Sequence, residues 1–105
     1  MSVIMTLSAP GDGSAIERYA AENADTMRAI VDHAVEHGLI AHRFYGTEDG
    51  QIMVVDEWPD AESFQEFFAH MRPHIEPIMA AAGITSEPTV RFWRKLDTRD
   101  DYGWD

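Results

Sequence analysis

Apolar positions along the chain follow two rhythms, one of period two and one near 3.6, and their order predicts β-α-β-β-α-β. Val3, Met5 and Leu7 alternate with Ile4 and Thr6, which predicts a strand from Ser2 to Ser8 that is apolar on both faces. Ser14 followed by Glu17 matches a capping box, and Ile16, Tyr19, Ala20, Met27, Ile30, Val31 and Ala34 then recur at helical spacing until His37-Gly38. Asn23 falls on that stripe. Asn and Asp compete with helix hydrogen bonds, so a break or re-capping at Asn23 to Asp25 is the favoured reading, with a buried Asn directed at a ligand as the sharper alternative. Leu39 to Tyr45 and Gln51 to Trp58 are β-prone runs flanking Gly46-Thr47-Glu48-Asp49-Gly50, a hairpin signal. Pro59-Asp60 turns the chain into a helix striped with Ala61, Phe64, Phe67, Phe68 and Met71. Pro73 is expected to interrupt it, leaving Ile75, Ile78, Met79 and Ala82 on a separate short helix before a last strand from Thr89 to Leu96.

This order is the α+β, ferredoxin-like pattern of an antiparallel sheet with helices on one face, here with a split second helix. Residues 1–96 form the expected single domain and 97–105 an acidic C-terminal tail. Helices cover only one face of such a sheet, yet Val54 and Val55, Phe92 and Trp93, Ile40 and Ala41 point to opposite sides. A monomer would leave an apolar patch, so a homodimer packed through the sheet face is expected.

Composition narrows the partners. The 105 residues suffice for one core without staples, and the absence of cysteine removes disulfides and thiol chemistry. Eight Lys plus Arg against 19 Asp plus Glu give a formal charge of −11, which opposes nucleic acid and anionic lipid. The N-terminal MSVIMTL carries no basic segment and no long apolar span, so a cytoplasmic protein with no membrane segment is expected.

Candidate chemistry is concentrated in histidines and aromatics. His70 and His74 are four apart, a spacing that can place two imidazoles on one helical face for a metal, but Pro73 lies between them and local spacing supplies no third ligand, so no metal is expected. Either His74 is expected to pack at the sheet–helix boundary with His70 partly exposed, or one of them serves as a pocket acid or base. His42 alternates with Ile40 and Phe44 on its strand and must find a hydrogen-bond partner in an apolar layer, as a core residue or a base. Tyr45, Trp58, Phe67 and Trp93 offer flat surfaces for an aromatic ligand or, equally, an ordinary core. Arg43, Arg91 and Arg94 lie on strands, where pairing with Asp56 or Glu57 is expected. His33 and His37 sit at a helix C-terminus, where their positive forms suit the dipole. Neither a nucleophile elbow nor a Gly-rich phosphate loop is present.

The segment VVDEWPDAESFQEFFAH, within a short ferredoxin-like chain, resembles the antibiotic biosynthesis monooxygenase-like family of the dimeric α/β-barrel superfamily, over roughly residues 2–96. The resemblance implies a homodimer enclosing a small apolar or aromatic molecule, and oxygenation of a phenol- or quinol-like substrate without a tightly held cofactor. His70, His74 or His42 would be the base, and Tyr45, Trp58 and Phe67 the walls. A ligand-binding or interaction module of the same fold is the alternative. The haem-degrading branch is not matched, because the first strand lacks Asn and Phe67 stands where that branch has Trp.

Overall fold

In the computed structural model, which describes residues 1–104, four strands form one antiparallel sheet: β1 (Val3–Pro10), β2 (Ala41–Gly46), β3 (Gln51–Trp58) and β4 (Thr89–Trp93). Their order is β2-β3-β1-β4. Three helices connect them, α1 (Gly13–Glu22), α2 (Ala24–Glu36) and α3 (Ala61–Ala81). Register pairs Met5 with Asp56 and with Phe92, and Asp56 with His42. Alternation then places Val3, Met5, Leu7, Val54, Trp58 and Phe92 on the face that packs against the helices.

Two apolar clusters hold the layers together. Trp58 has no exposed surface and meets Phe64 and Phe67 at ring separations of 5.8 and 5.5 Å, while Phe64 also meets Phe92 edge-on. Such pairs add about 0.5–1.5 kcal/mol each beyond their burial. The second cluster joins Ile16, Ile52, Ile78 and Ala82. Gly11 runs through it: a Cβ there would lie 2.8 Å from Ile52 and 2.9 Å from Ile84, so only glycine lets the β1–α1 loop approach this closely. Its amide donates to the Gly50 carbonyl and that of Asp12 to the Ala82 carbonyl, tying loop, hairpin and α3 together.

Helix boundaries correct two expectations, the Ser14–Glu17 cap and the interruption at Pro73, and bear out the break at Asn23. α1 is capped by Asp12, whose carboxylate accepts the Ser14 amide at 2.9 Å, and not by a Ser14–Glu17 box. The first helical region is the one that splits, at Asn23, which ends α1 and opens α2. The second is continuous over 21 residues despite Pro73 and Pro77. Both prolines are exposed and four residues apart, so the missing amide bonds fall on the solvent side, where water can satisfy the freed carbonyls. Phe64, Phe67, Met71 and Ile78 pin the other side to the sheet.

Past β4, Tyr102 and Trp104 are exposed, and the chain folds locally through a Lys95–Asp101 ion pair at 2.7 Å.

Asp60 caps α3 by accepting the Ser63 amide at 2.8 Å, and this bond holds its carboxyl below the usual carboxylate range. A depressed folded pKa contributes stability above the unfolded value that is lost as pH falls through the folded one. Asp60→Ala should therefore lower the thermal midpoint at neutral pH. Circular dichroism melts should show the gap to wild type closing as Asp60 protonates.

Candidate functional site

Between the helices and their side of the sheet lies a cavity of about 370 Å³. Its floor is strand, from Leu7, Val54, Phe44 and Ile52, and its roof is helix, from Met27, Ile30, Val31, Phe67, Ile75 and Met79. Ala20 and Ala24, beside the break between α1 and α2 at Asn23, present small side chains to it. Among so many apolar walls, three charged or titratable side chains reach the cavity: Arg28, His42 and Asp56. Arg28 is otherwise exposed, which puts it at the rim.

His42 and Asp56 face each other across the β2–β3 register, with His42 Nδ1 2.7 Å from Asp56 Oδ1. The carboxylate side chain is 7% exposed and the imidazole 27%, so the pair stands where the cavity wall meets solvent. The other carboxylate oxygen accepts the Trp58 Nε1–H at 3.0 Å. Asp56 thus has both oxygens satisfied, which is what permits a carboxylate to lie beneath an apolar core. Phe44 meets the His42 ring edge-on at 5.3 Å. With Nδ1 engaged, Nε2 is the nitrogen of His42 left for a ligand.

Other candidate residues are dispersed. Phe67 lines the cavity. Trp58 lies in the core behind it and reaches the site through Asp56. Tyr45 and Trp93 belong to the opposite face of the sheet, since period-two alternation sends them away from Phe44 and Phe92, and both are about half exposed. Asn23 spends its amide on the Tyr19 carbonyl at 2.9 Å, a cap within the helix break rather than a ligand contact. His70 and His74 sit on the exposed side of α3, outside the cavity lining, with the His70 ring 6.2 Å from that of His37. His37 Nδ1 donates to the His33 carbonyl at 2.9 Å, at the C-terminus of α2. Among the described residues, no group of three His, Cys, Asp or Glu is placed to hold a metal ion.

Asp56 was expected to pair with a strand arginine. Arg43 instead donates to the Tyr45 hydroxyl at 3.2 Å, because it points to the opposite face, and Glu57 accepts the Ser2 hydroxyl at 2.5 Å. The signal for Asp56 was in the chain: one acidic residue sits two positions from both Val54 and Trp58, hence on the same buried face.

No known protein family and no curated protein matches the chain by sequence. Solved structures do match its fold. SnoaB, a cofactor-independent oxygenase from Streptomyces nogalater, superposes with a TM-score of 0.62 at 14% identity over 95% of this chain and 98% of that one. A monooxygenase from Streptomyces coelicolor, solved in complex with nanaomycin D, gives 0.66 at 16% identity over 92% and 89%. A dimeric ferredoxin-like protein from an uncultured marine organism gives 0.65 at 12% identity over 99% and 93%. No helix is long and apolar enough to cross a membrane among the described residues.

Trp58→Phe removes the indole donor and leaves a buried Asp56 oxygen unpaired. Urea titration should report a loss of about 1–3 kcal/mol from that oxygen alone. Tyr45→Phe, on the open face, should stay within about 0.5 kcal/mol of wild type.

Proposed function

For a chain with the ferredoxin-like fold of the antibiotic biosynthesis monooxygenases, we propose that the cavity binds a small aromatic, quinol- or anthrone-like molecule and oxygenates it without a resident cofactor. One observation carries this reading: a hydrogen-bonded imidazole, His42, stands at the wall of a largely apolar cavity sized for a few fused rings. His42 Nε2 accepts a proton from the substrate. Apolar walls exclude water, so the resulting anion reacts with dioxygen rather than being reprotonated by solvent. The peroxide formed loses its O–O bond, one oxygen staying on carbon as a carbonyl and the other leaving as water. For an anthrone, the ring methylene and one dioxygen thus become one ketone carbonyl and one water, with both electron pairs supplied by the substrate. Arg28 at the rim is placed to meet an oxygen substituent as the ligand enters.

A second copy is proposed to cover the open sheet face. Ile4, Met53, Tyr45 and Trp93 leave apolar surface there, and Arg43, Arg91 and Glu57 lie among them. Sedimentation should give twice the chain mass of 11.9 kDa at micromolar concentration, whereas a monomer would contradict the dimer.

An oxygen electrode with a panel of hydroquinones and anthrones tests the chemistry. Turnover should fall about 10²-fold or more in His42→Ala and persist in His70→Ala and His74→Ala. Full activity in His42→Ala would remove it as the base. Ligand binding without oxygen uptake across the panel would instead mark a binding module.

A further inference from the structure

We infer that Trp58 and Asp56 together form a tautomer lock on His42: the carboxylate, held in place by the indole, dictates which imidazole nitrogen carries the proton. The inference rests on the reading of His42 as the base, but its physical content is independent of turnover. An indole N–H donates and cannot accept. Trp58 is wholly buried, with its Nε1–H 3.0 Å from Asp56 Oδ2, so that oxygen is committed. Asp56 Oδ1 remains, and it can only accept from His42 Nδ1 at 2.7 Å. Neutral His42 must then carry its hydrogen on Nδ1 and keep the lone pair on Nε2, the nitrogen that Asp56 does not engage.

An amide at position 56 breaks this chain of constraint in a specific way. Asn offers one accepting oxygen and one donating nitrogen, whereas Trp58 and a Nδ1-protonated His42 both donate. The indole cannot change its role and the imidazole can. In Asp56→Asn the amide oxygen should turn to Trp58, the amide nitrogen should donate to His42 Nδ1, and the hydrogen should move to Nε2. A base with its lone pair buried cannot take the substrate proton. The shape and packing of the site are nearly unchanged, so the loss belongs to the tautomer. Asp56 and Trp58 act through His42 and are positioning residues.

Nitrogen-15 NMR of the imidazole reads the tautomer without substrate. Wild type with His42 neutral should show Nδ1 as the protonated, pyrrole-type nitrogen and Nε2 as the bare, pyridine-type one. Asp56→Asn should exchange the two. Adding Trp58→Phe to Asp56→Asn frees the amide to turn either end to Nδ1, so the exchange should no longer be enforced and Nδ1-protonated His42 should reappear as part of a mixture. On active substrates, Asp56→Asn should lower kcat about 10²-fold or more with KM little changed. A wild-type protein with Nε2 protonated would overturn the lock by itself, even if the variants fail to fold. So would an Asp56→Asn protein that keeps the wild-type tautomer. If the NMR pattern exchanges as described while His42→Ala retains full turnover, the lock stands and the assignment of His42 as base falls.

Discussion

A single buried carboxylate organises this molecule. Asp56 lies on the covered face of β3, between Val54 and Trp58, where an ionisable group is costly unless every oxygen is satisfied. One neighbour in the core, Trp58, and one on the edge strand, His42, satisfy it. The core is thereby wired to the rim of the cavity: the indole that anchors Phe64 and Phe67 also fixes the group that orients the histidine.

The two faces of the sheet divide the work. On the covered face, aromatic packing under α3 fills the end around Trp58, while the cavity lies beside the break at Asn23, lined there by the small side chains of Ala20 and Ala24. The open face carries Ile4, Met53, Tyr45 and Trp93 with Arg43, Arg91 and Glu57, a mixture suited to another protein surface rather than to a small ligand. Polar groups there pair locally, Trp93 with the Thr6 hydroxyl and Arg43 with Tyr45.

Periodicity made the fold legible, since strand alternation and helical stripes are local signals that tertiary packing reinforced. The antiparallel hairpin at Asp49-Gly50 and the stop at Gly38, with φ of +106°, followed from residues able to adopt those turns. Pro73 misled, because its local cost is set against a stripe of four buried side chains that a sequence window cannot weigh. For the site, alternation already separated Tyr45 from Phe44 and Trp93 from Phe92. What it lacked was which face the helices cover. The pairing of His42 with Asp56 depends on the hairpin register, a relation across 14 positions that residue types alone do not specify.

The six methionine methyls offer the most direct test of whether the covered face holds the ligand site. Met5, Met27 and Met79 line the cavity, while Met53 lies on the open face and Met1 is exposed. In methyl-labelled protein titrated with an anthrone under nitrogen, the signals of Met5, Met27 and Met79 should shift together and saturably while those of Met53 and Met1 stay fixed. Shifts confined to Met53, or none at all across a panel of anthrones and hydroquinones, would contradict a ligand site beneath the helices.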